Sequence, residues 1–212
     1  IPEKIVSGTT QITKSPDRLL IAELTTSFLE KSGLLRNGAT MQAGAGGTSL
    51  AIAVYVHQLL KKKGWKLSFG FGGSTKYMVD MLEEGQMGYI LDAQAFDLDS
   101  VKSIEKNLNH IPYPVFNAYN YHSKGNLTTM MDIMILGATE IDTGFNGNVV
   151  THSDGLLLHG IGGWQNCLHA RNVIIPVPLF RDRIPVIVDR VTTLCGPGEL
   201  IDVIITERGI AI

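Results

Sequence analysis

Gln42-Ala43-Gly44-Ala45-Gly46-Gly47-Thr48-Ser49 is the stretch that decides the fold of this chain. It follows a short apolar run at residues 39–41 and leads into a helical pattern that begins near Leu50. A strand that passes through three glycines into a helix presents several backbone N–H groups at one point, where the helix dipole adds partial positive charge. The sequence predicts a turn that holds an anion or a developing oxyanion, with tight strand–helix packing as the alternative role of the glycines.

Two more glycine-rich segments follow the same pattern. The second, at residues 70–75, follows a strand predicted at 65–69, and the third, at residues 160–163, precedes a short helix predicted at 165–170. Strands that alternate with helices in this way indicate βαβ units. The prediction is therefore an α/β fold with a mostly parallel sheet and flanking helices, in a single domain over residues 1–212.

The remaining elements follow from caps, stops and apolar periodicity. Ser15, Pro16 and Asp17 are typical of a helix start, and Gly33 is typical of its end. The long helix after Leu50 is predicted to end at 61–64, where three lysines precede a glycine. Further predictions are helices at 77–84 and 99–107, strands at 89–92, 132–138, 172–176, 184–189 and 203–206, a loop at 111–114, and a loop or hairpin at 141–148.

Composition excludes several classes of function. The chain has 212 residues, of which 44% are hydrophobic and 18% charged, with a net charge of −2. This charge gives no electrostatic basis for binding nucleic acid or an anionic membrane surface. The two cysteines suit a reducing compartment, so we expect a cytoplasmic protein, and no apolar run is long enough to span a bilayer. Because the chain begins Ile1-Pro2, we expect it to be a piece of a longer polypeptide.

The glycine turns do not match the common phosphate-binding motifs. Ser49 stands where a dinucleotide fingerprint needs its third glycine, and the segment at 73–76 lacks the order of a P-loop. Cys167 and His169 have no second pair at ligand spacing, so no metal site is predicted. No serine lies in a nucleophile elbow. The residues alone therefore predict oxyanion-binding turns and identify no nucleophile.

The same segments resemble a known family. Residues 42–47 are similar to the Gln-x-Gly-x-Gly-Gly loop of family I CoA-transferases, and the runs at 131–138, 160–163 and 203–209 resemble later strands and loops of that family. Order and intervals agree from about residue 40 to the end. Within the family, residues 43–53, 145–155 and 159–166 resemble the α subunits of citrate lyase, which implies that the chain is the C-terminal half of such a subunit.

The resemblance implies an activity and its partners. The expected reaction is transfer of the carrier-protein thioester from acetate to citrate, which gives the citryl carrier and free acetate. The expected partners are a β subunit that cleaves the citryl thioester and a γ subunit that is the acyl carrier, together with citrate, acetate and the acyl thioester. No cofactor is expected on this chain itself, which would use the CoA-like prosthetic group of the carrier or acetyl-CoA as an analogue.

The chain departs from the family at one position. The family's nucleophilic glutamate aligns with Gly72, and residues 65–77 contain no carboxylate. We therefore expect the citrate carboxylate to attack the acetyl thioester directly, through an acetyl-citrate anhydride. We expect the glycine to leave room for the second substrate.

The resemblance also implies site residues. The backbone N–H groups of Gly162 and Gly163 correspond to the family's oxyanion loop. Candidates for binding the thioester or a carboxylate are Gln42, Gly44, Gly46, Gly47, Gly70, Gly72, Gly73, Asn146 and Asn148. For the cation that citrate would need, the candidates are Arg171, Arg181 and Arg183.

Other functions remain open from sequence. The chain could belong to another short-chain acyl-CoA transferase or hydrolase, or it could be a non-catalytic half that binds the carrier or assembles the complex. A sugar-phosphate isomerase of related fold would need a positioned acid/base pair, which the sequence does not reveal.

Overall fold

The computed structural model describes residues 10–120, 122 and 126–212. Its helices are α1 (Pro16–Lys31), α2 (Gly47–Lys63), α3 (Lys76–Glu83), α4 (Leu98–Lys106), α5 (Val115–Tyr119) and α6 (Trp164–Cys167). Its strands are β1 (Met41–Ala43), β2 (Leu67–Ser74), β3 (Met87–Ala95), β4 (His110–Pro112), β5 (Ile133–Ile135), β6 (Glu140–Asp142), β7 (Gly147–Asn148), β8 (Val173–Pro176), β9 (Phe180–Arg181), β10 (Ile184–Pro185), β11 (Ile187–Val188), β12 (Val203–Thr206) and β13 (Gly209–Ala211). None of the helices in these ranges is both long and apolar enough to cross a membrane.

Eight of the strands form one sheet. Their order is β13-β12-β8-β5-β1-β2-β3-β4, and every pair is parallel except β12–β13. The chain passes from β1 outward to β4 on one side and then returns to place β5 on the other side of β1. The direction of winding thus reverses at β1, a switch point that opens a crevice at the carboxyl ends of the strands.

Hydrophobic side chains cover both faces of this sheet. In β5, for example, Ile133 and Ile135 belong to the cluster that packs under α1, α2 and α3, whereas Met134 belongs to a second cluster on the other face. The second cluster includes Phe71 and Trp164 and extends into a smaller sheet of order β11-β6-β7. Burial on both faces explains why the strands appear in the sequence as short, continuous apolar runs.

The cap signals predict the first two helices well. Helix α1 starts at the predicted proline and ends two residues before Gly33, which has a φ of +77°. Helix α2 ends at Lys63, with three lysines in its last turn, and its C-cap Gly64 is in the left-handed conformation. The predicted α/β fold with a mostly parallel sheet and flanking helices is confirmed, as is the hairpin at 141–148, which is formed by β6 and β7.

Three local predictions are wrong. Residues 70–74 are not a turn, because β2 continues through Ser74 and pairs with β3 along that length, with a bulge between Gly72 and Gly73. Residues 110–112 form an edge strand where a loop was predicted. The strand predicted at 184–189 is divided into β10, which pairs with β9, and β11, which pairs with β6. In each case pairing with a distant strand overrides the local pattern.

Candidate functional site

A large cavity lies at the switch point of the sheet. It has a volume of about 860 Å³ and is bounded by residues at or just beyond the carboxyl ends of β1, β2, β3 and β5. The predicted site residues that line it are Gln42, Gly44, Gly46, Gly73, Gly162 and Gly163. The structure therefore brings the first and third glycine segments together, although they are more than 100 residues apart in the chain.

One wall of the cavity is the loop from β1 into α2. Gly46 is the N-cap of this 17-residue helix, and Ser49 lines the cavity from its first turn. The backbone N–H groups of Ala45 and Gly46 donate no hydrogen bond to another described residue, whereas the pairing of Ala43 with Ile135 directs the Gly44 N–H toward the Ile135 carbonyl. Free N–H groups at the start of a long helix favour a negatively charged ligand here.

The opposite wall is the loop at residues 160–163. Gly162 has a φ of +58°, and neither its N–H nor that of Gly163 donates to another described residue. Trp164 fixes this loop, because its indole Nε1 donates to the Gly137 carbonyl at 2.8 Å. Its ring also lies where Cβ atoms at Gly147 and Gly196 would be, 2.7 Å away in both cases. Those two glycines are thus needed for Trp164 to hold the loop in place.

A buried polar cluster fixes the ends of β2 and β3 beside the cavity. Ser74 Oγ donates to Asp92 Oδ2 at 2.9 Å, and His110 Nε2 lies 3.3 Å from the same oxygen. The other oxygen, Asp92 Oδ1, accepts from the Gln94 N–H at 2.8 Å, and Gln94 lines the cavity. The three side chains of the cluster are at most 4% exposed, so they position the strand ends and do not contact a ligand.

Tyr119 lies between Gly163 and Gly72. A Cβ atom added at Gly163 would be 2.9 Å from Cζ of the Tyr119 ring, and one at Gly72 would be 3.7 Å from its hydroxyl oxygen. The ring packs on Phe71 with centroids 5.3 Å apart, and the Tyr119 carbonyl accepts from Asn166 Nδ2 at 2.8 Å. Burial raises the pKa of the Tyr119 phenol, and the nearby Cys167 and Asp92 raise it further, so the phenol is neutral at physiological pH.

The expectation that Gly72 leaves room for a substrate is wrong. Gly72 has a φ of +103°, which glycine adopts far more readily than other residues. A Cβ atom there would lie 3.1 Å from Cγ of Gln42, so the space beside it is already occupied. Gly72 is required by the backbone of the bulge, and the open volume begins beyond the side chains of Gln42 and Tyr119.

Four other predicted binding residues have structural roles. A Cβ atom at Gly70 would lie 2.6 Å from the Met78 side chain in the core, and one at Gly47 would lie 3.0 Å from the Thr13 backbone. Asn148 is fully buried, and Asn146 donates to both oxygens of Asp142 at 3.1 Å. None of the four lines the cavity, because close packing or internal hydrogen bonds use the atoms that would bind a ligand.

The two asparagines instead fold the small sheet. Asn148 Nδ2 donates to Glu140 at 2.8 Å and to the Thr151 hydroxyl at 2.9 Å. Asn146 Oδ1 accepts from the Gly198 N–H at 3.0 Å. Burial raises the pKa of Glu140, but hydrogen bonds from Ser153, Asn148 and Thr192 outweigh it and lower the pKa. The carboxylate is therefore an ionised acceptor that holds the loop around β6 and β7.

Only one of the three candidate arginines lines the cavity. Arg181 is half-buried at its edge, where its Nη2 donates to the Ala138 carbonyl at 3.3 Å. Burial and repulsion from Arg18 lower the pKa of Arg181, which stays charged at neutral pH. Arg171 lies before β8 and pairs with Asp132 at 3.1 Å, at the amino edge of the sheet. Arg183 is exposed in the turn between β9 and β10.

The cavity lacks an evident protein nucleophile. Within the described residues no Asp or Glu lines it, and no group of three or more His, Cys, Asp and Glu side chains is placed to hold a metal ion. Cys167 lines the cavity, but burial raises the pKa of its thiol to about 12. A thiol with that pKa is almost fully protonated near neutral pH and is a poor nucleophile. Besides backbone N–H groups, the lining offers one phenol, one guanidinium and further polar side chains, namely Gln42, Gln94, Asn166, His159, Ser49 and Thr139.

Sequence reasoning missed Tyr119, Phe96 and Trp164. Phe96 covers Gly73 so closely that a Cβ atom there would lie 1.8 Å from its ring. No motif marks Tyr119 or Phe96, which only the sheet order brings to the glycine segments, and the run at 159–166 contains Trp164 without indicating its role. The one signal available was the repeated glycine itself, since a glycine beside a strand end often marks close approach of another group.

Comparison with known proteins gives matches over the whole chain. The sequence model of the family described as "Citrate lyase, alpha subunit (CitF)" matches residues 1–212. The chain is 38% identical over 212 residues to the citrate lyase alpha chain of Klebsiella pneumoniae, and 39% identical over 210 residues to that of Escherichia coli K12. It is covered completely, or to 99%, in these matches but spans only 42% and 41% of the two relatives.

Solved structures give the same relationship. A crystal structure from Streptococcus mutans, described as an α subunit of citrate lyase in complex with citrate, matches the whole chain with a TM-score of 0.95 and 40% identity. The match covers 42% of that protein. A malonate decarboxylase α subunit from Acinetobacter baumannii matches 99% of the chain with a TM-score of 0.69, and at 16% identity it shows the fold alone.

Proposed function

We propose a function from the premise that this chain belongs to the citrate lyase α-subunit family, whose sequence model matches residues 1–212. The function is acyl transfer: the carrier-protein thioester passes from acetate to citrate, which releases acetate and forms the citryl carrier. One observation carries the proposal. Two walls of unpaired backbone N–H groups face one cavity, in which no described carboxylate side chain could accept the acyl group.

The proposed reaction begins with direct attack by the substrate. A citrate carboxylate oxygen attacks the thioester carbonyl carbon, the new C–O bond forms, and the C–S bond breaks to release the carrier thiolate. The thiolate then attacks the citryl carbonyl of the resulting acetyl-citrate anhydride, a C–S bond forms, and acetate leaves. The chain contributes positioning and oxyanion stabilisation, and each lost oxyanion donor typically costs about 3–4 kcal/mol in the transition state.

The two walls have separate proposed roles. The N–H groups of Gly162 and Gly163 stabilise the oxyanion that forms at the thioester carbonyl. The loop with Gly44 and Gly46, at the start of α2, binds the thioester or a carboxylate. Their support is the absence of competing protein acceptors for the N–H groups of Gly46, Gly162 and Gly163 among the described residues.

Arg181 is the proposed contact for a further carboxylate of citrate. It is the only Lys or Arg among the described residues that line the cavity, and its half-buried guanidinium faces a low-dielectric wall. A substrate with several carboxylates needs such a cation, whereas a monocarboxylate does not. Arg181 therefore selects for polycarboxylate acceptors.

The partners follow from the reaction. The proposed donor of the acyl group is a γ subunit that carries a CoA-like prosthetic group, and a β subunit cleaves the citryl thioester. The chain itself needs no bound cofactor for the proposed steps. Cys167 and Cys195 are both free thiols, which supports a cytoplasmic location.

A single-turnover isotope experiment tests the proposal. The full-length subunit is mixed with one equivalent of acetyl carrier and citrate labelled with ¹⁸O in its carboxylates, and the released acetate is analysed by mass spectrometry. Direct attack transfers one ¹⁸O atom from citrate to that acetate. Unlabelled acetate, or a glutamyl thioester trapped by borohydride on this half, would refute direct attack. Turnover with a simple short-chain acid but not with citrate would favour another acyl-CoA transferase.

A further inference from the structure

Gln42 is an unexplained buried amide at the floor of the cavity. It is 7% exposed, and its Oε1 has no hydrogen-bond partner among the described residues. Side chains alternate along β1, so Gln42 faces the second cluster while Met41 and Ala43 face the first. No hydrogen bond from Gln42 Nε2 to another described residue is present, and Nε2 is not among the fully enclosed atoms without a partner, so its N–H groups are accessible to an acceptor in the cavity.

The Tyr119 hydroxyl faces the same small volume. It lies 3.7 Å from the Cβ position of Gly72, and Gln42 Nε2 lies 3.7 Å from that position too. No hydrogen bond of this hydroxyl to another described residue is present, and the ring is held by Phe71 and by the Gly163 backbone. Two unused polar groups from distant parts of the chain therefore converge over one glycine.

We propose that Gln42 and Tyr119 form the binding site of the attacking carboxylate of the acceptor acid. The amide N–H of Gln42 and the phenol O–H of Tyr119 donate to the carboxylate oxygens, which places the anion in the open volume beyond these two side chains. This inference rests on the proposed acyl transfer and adds the residues that hold the acceptor.

The chemistry of these donors suits an attacking anion. A carboxylate in a largely apolar cavity needs hydrogen bonds to offset its lost hydration. A cation beside the attacking oxygens would stabilise their charge and lower their nucleophilicity. Neutral donors fix the position of the carboxylate and leave most of its charge available. Arg181 then binds a different carboxylate, so the two contacts have separable effects on substrate choice.

Two variants of the full-length subunit test the assignment. Tyr119→Phe keeps the ring that packs on Phe71, and Gln42→Leu keeps most of the side-chain volume. Each removes one hydrogen bond to a charged group, so we expect the Kd for citrate, measured by calorimetric titration, to rise about 10- to 100-fold. The KM for [¹⁴C]acetate, measured by its exchange into the acetyl carrier, is expected to rise by a similar factor. The KM for the acetyl carrier is expected to stay unchanged.

Matched controls are Tyr89→Phe and Gln58→Leu, which alter exposed side chains outside the cavity. Citrate affinity within twofold of wild type in both test variants would overturn the inference, as would a loss confined to citrate that spares acetate. A parallel rise in the KM for the acetyl carrier would also overturn it, because it indicates a general distortion. If the wild-type subunit binds citrate but transfers no acetyl group, the proposed function fails. The citrate titrations of the two variants then still test whether Gln42 and Tyr119 bind the carboxylate.

Discussion

Gly163→Ala is a sensitive test of how the loop at residues 160–163 and Tyr119 fit together. The backbone at Gly163 has a φ of −84°, which alanine adopts without strain. The added Cβ atom would lie 2.9, 3.1 and 3.3 Å from three atoms of the Tyr119 ring, whereas ordinary contacts begin at 3.4 Å. The ring must therefore move by about 0.5 Å or more, and overpacking of this kind typically costs about 1–3 kcal/mol.

The displaced ring carries the Tyr119 hydroxyl with it. Misplacement of a positioning group by about 1 Å can cost roughly 100-fold in rate, so a shift near half that distance is expected to lower kcat/KM for citrate by about tenfold. The assay is the initial rate of citrate-dependent acetate release by the full-length subunit, measured beside its melting temperature.

Gly160→Ala supplies the control from the same loop. A Cβ atom at Gly160 would have no atom within 4 Å, and its φ is not in the left-handed region. We expect its kcat/KM to stay within about twofold of wild type. Wild-type activity in Gly163→Ala, or an equal loss in both variants, would refute the reasoning, because the steric contact with Tyr119 would then not control the rate.

Three further predictions concern separate parts of the chain. Arg181→Gln is expected to raise the KM for citrate about 10- to 100-fold and to leave acetate exchange unchanged. Equal effects on both acids would contradict its proposed role in selecting polycarboxylates. Gly72→Glu is expected to lower the free energy of unfolding in urea by about 1–3 kcal/mol, because the φ at this position is +103° and the added Cβ atom would contact Gln42. A variant as stable as wild type would contradict the need for glycine. Burial raises the pKa of Glu140 and Asp142, but their hydrogen bonds outweigh it and lower both pKa values below the ordinary 4.5 and 3.8. The two ionised carboxylates therefore stabilise the fold above their ordinary pKa values, and this stabilisation is lost as the pH falls through the lowered pKa values. Urea denaturation curves recorded across that pH range should show a smaller pH dependence of stability in Glu140→Gln than in wild type.

Local patterns predicted most of the regular structure. Helix α1 begins at Pro16, and α2 ends at Lys63 before its C-cap Gly64, because caps and stops depend on a few adjacent residues. The same patterns failed at residues 70–74, where three glycines within five residues indicated a turn. Pairing of β2 with β3 supplies backbone hydrogen bonds that the local sequence does not predict, and the bulge accommodates the positive φ of Gly72.

The site residues separate in a similar way. The sequence predicted backbone donors in the glycine loops at residues 44–46 and 162–163, because a glycine beside a helix start exposes the backbone regardless of the rest of the fold. Asn146 and Asn148 have the same chemistry in sequence as a substrate ligand, yet their hydrogen bonds go to Asp142, Glu140 and Thr151. Residue type shows what an amide can bind, and only its neighbours show what it does bind.

The sequence by itself determined the fold class and the family, the glycine loops with their free backbone donors, and the lack of a carboxylate at residues 65–77. Tertiary structure decided that β1 lies at the switch point of the sheet, so that Gln42, Tyr119 and Gly163 meet in one cavity. The physical reason is the distance along the chain over which each interaction acts. Backbone exposure and capping are fixed within a few residues, whereas the meeting of residues 42, 119 and 163 depends on strand order, which arises from the packing of the whole sheet.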